Sequence, residues 1–461
     1  MSPLEVPDQV NGRAWIVEPL LRVVAVLLFC APLASSQSVW HKDLEAALPS
    51  LVEMYKHLHA YPEISYQEEK TAAFVATELR RLGFEVTEQV GKYMDPSRVS
   101  HGVVGVLKNG QGPTVLVRTD LDALPIEEKT GLPYASSVKT RNDAGELVPA
   151  MHACGHDLHM TVLLGTARML SQMKNRWRGT LLMIGQPCEE RGAGARAMLN
   201  DGLYSRFPKP DYILALHDDA SIEAGKVGVC EGYALASVTS VDVKVRGAGG
   251  HGAYPQTTKD PIVIASQIVL ALQTIVSREN SPLDPAVVTV GSIHGGTQHN
   301  IIPDEVHLQI TVRGYKEEVR ERILASIERI AKGIAAAAGV MPERMPVLTV
   351  NNREYTASTY NNPAFTRKVA DALRKALGRD NVGEAEPVMA GEDFGSYSLG
   401  DKIPSCIFWL GVVDPLLAEK SKKEGTTLPS LHSSEFAPAP EPTIRTGVKA
   451  MTSIVLDLIS K

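Results

Sequence analysis

Nine consecutive residues, Met151-His152-Ala153-Cys154-Gly155-His156-Asp157-Leu158-His159, carry one thiol and three imidazoles, and no other stretch constrains the chain so strongly. Imidazole and thiolate together suit a transition metal such as Zn, Mn or Ni better than Ca or Mg. Cys154 and His156 stand two apart, so in extended backbone they point to one side. A helical pattern follows at about 157–173 and puts His159 a turn away. Further ligand types lie downstream in Glu189-Glu190, His217 and His432, each after an apolar run or in a polar loop. A lone cysteine or histidine reads as a buried thiol or a structural imidazole; the cluster does not. The adjacent glutamates suggest one metal ligand and one general base, which is the chemistry of a metal-dependent hydrolase.

The surrounding pattern says how such residues are delivered. Helices are expected at 43–59 and 66–82, the second ending at Gly83. Apolar strand-like runs follow at 102–107, 114–118, 179–185 and 211–216. Strands separated by helices point to a largely parallel sheet covered on both faces, with ligands gathered beyond the carboxyl ends of the strands. Asp120 and Asp122 follow the second run, Glu189 and Glu190 the third, and His217 the fourth.

A second unit is expected over 232–345, inserted into a catalytic part formed by 40–231 and 346–461. Val241-Asp242-Val243-Lys244-Val245 alternates as a half-buried strand does. A helix at 260–277, strands near 286–292 and 305–313 and a helix at 317–338 complete a small α+β layer. The chain resumes with a strand at 347–350, a helix at 363–377, a strand at 405–410 and a closing helix at 441–459. Gly247-Ala248-Gly249-Gly250-His251-Gly252 has the G-x-G-x-x-G spacing, but Ala253-Tyr254-Pro255 stands where a helix has to open onto a pyrophosphate. A Gly-rich loop that carries His251 to substrate fits better than a dinucleotide site.

Length and composition exclude other classes. The 461 residues allow two or three domains, and 44% hydrophobic with 22% charged residues is ordinary for a soluble globular protein. A net charge of -6 without a basic stripe gives no support to nucleic-acid binding. The five cysteines (Cys30, Cys154, Cys188, Cys230 and Cys406) make no paired framework. Near the start, Arg22 precedes the apolar run 23–34, and Ala34-Ser35-Ser36 offers small residues for cleavage, so residues 1–36 read as a signal peptide. The run is shorter than the about 20 residues that span a bilayer. The mature chain is then expected to begin near Gln37, secreted or periplasmic and without stable membrane insertion.

Seven blocks in order make the chain resemble a known family: Arg118-Thr119-Asp120-Leu121-Asp122-Ala123-Leu124-Pro125, His152–His159, Gln186-Pro187-Cys188-Glu189-Glu190, Gly249–Pro255, His299-Asn300-Ile301-Ile302-Pro303, Met389-Ala390-Gly391-Glu392-Asp393-Phe394 and Leu431-His432-Ser433. It is similar to the two-metal amidohydrolases that include hippurate hydrolase, N-acyl-amino-acid amidohydrolases and the plant indole-3-acetyl-amino acid hydrolases. The resemblance implies an α/β catalytic domain, its mostly parallel mixed sheet flanked by helices, with an inserted α+β ferredoxin-like lid and dimerisation domain. It implies two divalent ions, Mn2+ or Zn2+, on Cys154, His156, Glu190, His217 and His432, with Glu189 as general base. Asp122 resembles the buried aspartate that orients a ligating imidazole. His251 and Asn300 would contact the substrate or its oxyanion, and Arg313 its carboxylate. The implied activity is hydrolysis of an N-acyl amino acid by a homodimer, with a metallo-carboxypeptidase or dipeptidase as the alternative. Two departures stand out, either of which could tune metal choice: Cys188 replaces a usually small residue before the glutamates, and two acids follow His217.

Overall fold

The computed structural model describes residues 33–460, with side chains from Trp40 onward, and every count is of those residues. The predicted leader therefore lies outside the described residues, save for its last four, which open helix α1 (Leu33–Ala60). Two compact units divide at Asp43–Leu44, and the second, which begins at Leu44, contains every strand.

Twelve strands build the two larger sheets. The first six are β1 (Glu85–Thr87), β2 (Val103–Asn109), β3 (Thr114–Asp120), β4 (Gly179–Gln186), β5 (Tyr212–Glu223) and β6 (Val227–Val229). Then come β7 (Ser237–Arg246), β8 (Ala286–His294), β9 (Glu305–Gly314) and β10 (Val347–Thr356), followed by β11 (Val382–Glu384) and β12 (Ser405–Val413). Eight of them form one sheet in the order β1-β2-β4-β3-β5-β12-β6-β11. Its centre, β4-β3-β5-β12, is parallel throughout, and the antiparallel pairs lie towards the edges. The central strands are continuous apolar runs because helices cover both faces: β3, β4 and β12 are buried along nearly their whole length. The remaining helices include α2 (Glu69–Arg81), α3 (His156–Gln172), α4 (Pro261–Thr274), α5 (Glu317–Ala337), α6 (Pro363–Leu377) and α7 (Pro440–Ile459). Helix α3, buried almost all round, packs between α7 and β3.

The other four strands make a second, antiparallel sheet in the order β8-β9-β7-β10. Strand β7 alternates buried and part-buried residues, as a sheet covered on one face requires. Helices α4 and α5 supply that cover, and Val241, Val243, Ile264, Ile268, Leu308, Ile323 and Ile327 form a core of their own. With β10 as fourth strand, the order strand–helix–strand–strand–helix–strand is ferredoxin-like. Here the structure corrects the expected boundary: the sequence pattern makes β10 the point where the catalytic part resumes, yet Val347, Leu348, Thr349 and Val350 pair with β7. Its partner lies about a hundred residues upstream, which no local pattern reveals. After Gly247 no α-helix opens until Pro261, so the Gly-rich loop is not a dinucleotide turn.

One buried ion network ties α1 to the start of α3. His59 Nδ1 stands 2.7 Å from Asp157 Oδ2 and His59 Nε2 stands 3.0 Å from Glu128 Oε1. Burial alone lowers the imidazole pKa, but the hydrogen bonds to Asp157 and Glu128 outweigh it and push it up to about 10. His59 is thus a buried cation between two carboxylates. Its raised pKa stabilises the fold fully below the unfolded-state value of about 6.5, and the gain is lost as pH rises through about 10. His59→Gln is expected to cost about 3–5 kcal/mol in urea unfolding below pH 6.5. The gap to the parent protein should close towards pH 10, and an equal gap at both pH values would refute a charged His59.

Candidate metal centre

The Cys154–His156 loop is shaped by one glycine. Gly155 precedes α3 with φ +68°, and a Cβ there would lie 2.2 Å from Asp218 Oδ2. Only glycine meets both the left-handed backbone and the close approach. The amide of His432, itself left-handed at φ +64°, donates to Ala153 O at 2.8 Å. That bond stitches the distant His432 loop to the same turn.

Main-chain carbonyls fix the imidazoles. His156 Nδ1 donates to Asp122 O at 2.7 Å and His217 Nδ1 to Asp218 O at 2.9 Å. Each ring then turns its Nε2 lone pair into the site, the arrangement a metal ligand needs. Cys154 Sγ is 3.6 Å from His217 Nε2 and 3.3 Å from His432 Nε2. Glu190 Oε1 is 3.8 Å from His156 Nε2, and Glu190 Oε2 is 3.7 Å from His432 Nε2. Two donor groups result, Cys154–His156–His217 and Cys154–Glu190–His432, each with its ligand atoms within 4.8 Å and sharing one thiol. The structure thus brings all five predicted ligands together. His156 Nε2 and Glu190 Oε1 are buried without a hydrogen-bond partner. Such orphans are rare in folded proteins, and an imidazole nitrogen and a carboxylate oxygen without partners beside a thiol fit divalent transition metals.

Asp122 works differently from the expectation. Its carboxylate lies 3.7 Å from His156 Nδ1 while its carbonyl aligns that ring. The carboxylate instead accepts the amides of Glu189 and Glu190, both at 3.0 Å, and the Ser65 hydroxyl at 2.6 Å. Glu189 is 8% exposed, and no hydrogen bond or ion pair engages its carboxylate among the described residues. Burial, with Glu392, Glu190 and Asp393 nearby, raises its carboxyl well above the usual range. Cys188 takes φ +56°, backbone that favours glycine, and burial with the Asp122 and Glu68 charges pushes its thiol well up.

Of the supporting layer behind these groups, sequence reasoning singles out only His159 and Asp120 and gives neither a role. His159 Nδ1 stands 2.7 Å from Asp120 Oδ1, and its Nε2 stands 3.0 Å from the Asp218 amide nitrogen and 3.1 Å from Asp218 Oδ1. Arg118 donates to Asp120 (2.7 Å), to both oxygens of Glu392 (3.1 and 2.8 Å) and to Gln186 (2.9 Å). Arg118, Asp120, Gln186, Glu392 and Asp393 all stand inside the recognised blocks, but their pairing across 274 residues has no local mark.

A cleft of about 1310 Å³ opens above the donors, lined by Cys154, Glu189, Glu190, His217 and His432 among others. Leu235, Val388, Trp409, Val413 and Leu428 give it an apolar wall, with Trp409 edge-on to His217 at 5.8 Å between ring centroids. Arg313, expected from the resemblance to meet a carboxylate, also lines the cleft, with one nitrogen held by Met389 O at 2.8 Å. His251 and Asn300 do not line it. They sit together at the surface, His251 ending one short strand and Asn300 in the turn just before its partner strand, where the Gly252 amide meets Asn300 O at 2.8 Å and the Ala253 amide meets His251 Nδ1 at 3.0 Å. Cys154, Cys188, Cys230 and Cys406 are all free and buried, and Cys30 lies outside the described residues.

A family model described as peptidase family M20/M25/M40 matches residues 116–453. Over 374 residues the chain is 37% identical to the N-acetyl-L-cysteine deacetylase of Bacillus subtilis (strain 168), spanning 80% of this chain and 82% of that protein. It is 35% identical over 389 residues to thermostable carboxypeptidase 1 of Saccharolobus solfataricus, spanning 84% of this chain and 90% of that protein. Among solved structures, a dinuclear metal-binding peptidase of the M20 family from Bacillus subtilis is 29% identical, with a TM-score of 0.68, and the likeness covers 92% of this chain and 100% of that one.

The shape of the Cys154–His156 loop is open to direct test. Gly155→Ala is expected to weaken Mn2+ or Zn2+ binding by about tenfold or more, read by calorimetric titration of metal-free protein. Unchanged affinity would show that the loop geometry is not what presents the ligands.

Proposed function

The chain belongs to peptidase family M20/M25/M40, and from that we propose that it hydrolyses the amide bond of N-acyl amino acids to a carboxylic acid and a free amino acid. The observation that carries this reading is Glu189: a buried carboxylate with no partner of its own, beside clustered ligand atoms, at the base of a cleft with an apolar wall. Cys154, His156, Glu190, His217 and His432 would hold two divalent ions, Mn2+ or Zn2+. When bound, such ions polarise an amide carbonyl and make a neighbouring water acidic.

The chain's own residues do the rest. Glu189 takes the proton of the attacking water as it adds to the amide carbon, then returns it to the departing nitrogen. Asp122 keeps that base in place through the amides of Glu189 and Glu190. Trp409, Leu235, Val388 and Leu428 suit an apolar acyl group, and a cleft of this volume admits benzoyl or indole-acetyl groups. The free nitrogens of Arg313 suit the carboxylate of the leaving amino acid. A second reading, exopeptidase action on small peptides, has its own observation: Asp219 and Glu223 also line the cleft and would accept the ammonium of an unblocked dipeptide.

A homodimer is part of the proposal. Helix α4 and the turn after it, Pro261–Glu279, are apolar enough by length and composition to cross a membrane, at a mean hydropathy of 1.5. Yet Ile264, Ala265, Ile268 and Leu272 on that helix belong to the core of the small sheet. Val263 and Leu270 remain exposed on α4, as does Ile293 on the edge strand β8, and a second copy would cover them. The exposed His251 and Asn300 would then have a place to act.

Hydrolysis of N-benzoyl, N-acetyl and N-(indole-3-acetyl) amino acids, set beside unblocked dipeptides, tests the substrate class; the N-acyl compounds are expected to turn over fastest. Glu189→Gln should lose about a thousandfold in kcat with its metal content intact, and a variant that still turns over would refute the base assignment. Sedimentation should give a dimer that Leu270→Asp converts to monomer; a parent protein that is already monomeric would overturn the proposed interface.

A further inference from the structure

Six non-glycine residues have positive φ among those described, and two of them, Tyr66 (+71°) and Cys188 (+56°), meet at one carboxylate oxygen. The Cys188 amide donates to Glu68 Oε1 at 2.8 Å and the Tyr66 amide to the same atom at 3.0 Å. The next two amides along the chain, Glu189 and Glu190, go to the two oxygens of Asp122. Three successive N–H groups thus end on two buried carboxyls, an arrangement in which main-chain amides form a cradle for negative charge. The far side of the turn is closed by Ala193 and Gly194 amides on Cys188 O, both at 3.2 Å, and by the Gly192 amide on Glu189 O at 2.6 Å.

Glu68 is fully buried, and only its main-chain carbonyl serves the helix it precedes, accepting the Ala72 amide at 2.8 Å; at the N-cap of α2 its side chain makes no capping bond. Its side chain turns inward to a residue 120 positions away instead. Left-handed backbone is unfavourable for any residue with a Cβ, so a cysteine at φ +56° persists only where its surroundings hold it.

We propose that Glu68 is a positioning residue for hydrolysis: its buried carboxyl holds the left-handed turn at Cys188, and that turn sets where Glu189 and Glu190 enter the site. The inference rests on the role proposed for Glu189 as general base. Asp122 fixes the two glutamate amides, but without Glu68 the turn that feeds them relaxes towards ordinary backbone. A displacement of about 1 Å at a reacting group is enough to cost about a hundredfold in rate.

The test compares Glu68→Ala, Glu68→Gln, Glu68→Asp and the double variant Glu68→Ala with Cys188→Gly, each loaded with Mn2+ or Zn2+. Glu68→Ala is expected to lose about a hundredfold in kcat with KM within about threefold and metal content unchanged. Glu68→Gln keeps an acceptor oxygen in place and should hold kcat within about fivefold of the parent. Glu68→Asp withdraws the oxygen by one methylene and should fall between them, which serves where the alanine variant does not fold. Glycine takes positive φ without strain, so the double variant should recover at least about tenfold over Glu68→Ala. In metal-free protein, amide exchange over residues 188–191 should be faster in Glu68→Ala than in the parent. A parental kcat in Glu68→Ala, metal lost in step with activity, a double variant no faster than the single one, Glu68→Gln as slow as Glu68→Ala, or unchanged amide exchange would each overturn the proposal. Glu189→Gln run alongside separates the two claims, because turnover surviving there rejects the base assignment while the exchange result still judges Glu68.

Discussion

Asp120, Asp122, Asp218, Glu392 and Asp393 are each at most 2% exposed, and Arg118 is the one buried arginine or lysine among the described residues. A carboxylate taken out of water costs several kcal/mol unless a cation or hydrogen-bond donors replace the solvent. Arg118 answers for Asp120, Glu392 and Asp393, and the imidazole of His159 joins Asp120 to Asp218. Glu190 is left with an oxygen that nothing among the described residues satisfies, next to a ring nitrogen in the same condition. Divalent cations are the partners this charge distribution calls for. The parallel strands β4, β3, β5 and β12 are what bring the groups so close, because their carboxyl ends or the loops just past them carry Glu189–Glu190, Asp120 and Asp122.

The parts of this fold that rest on burial were legible in the sequence, and those that rest on pairing were not. Strands β3 and β4 stand where their apolar runs predict, since a strand covered on both faces has to be apolar throughout. Strand β5 runs on to Glu223 rather than ending at Leu216, because its register with β12, which sets Trp409 beside His217, extends through polar residues. Strands β1, β6 and β11 are three residues each, too short to carry a period. The five ligands were readable because thiol, imidazole and paired carboxylate are uncommon at such density. Glu68 was not, since Gln67-Glu68-Glu69-Lys70 looks like the solvated start of a helix.

The main chain positions much of the site. His156 and His217 are aligned by carbonyls, Glu189 and Glu190 by their own amides, and His432 by an amide bond to Ala153. Side chains that orient a ligand can be exchanged one at a time, whereas backbone atoms move only with the segment that carries them. That explains why left-handed residues gather here, with Gly155, Cys188 and His432 all at positive φ. Each is a place where the chain turns abruptly to present the residue itself or the one that follows.

The cleft draws its lining from both sheets, with Trp409 on β12 of the eight-stranded sheet. The donors and Glu189 belong to the eight-stranded sheet and its loops, whereas Arg313 rides on β9 of the four-stranded sheet, whose strands lie in sequence between β6 and β11. Ala418, Ser421 and Lys422, from an exposed helix at Pro415–Glu424 that buries none of its side chains, line the cleft from another direction. Arg313 and the residues of that helix line the cleft without pairing with a buried carboxylate among the described residues. Changing Asp122 or Gly155 alters the turns and contacts that present the ligands themselves. A chain built this way can vary the lining of its cleft while the clustered donors and the buried carboxylates behind them stay in place.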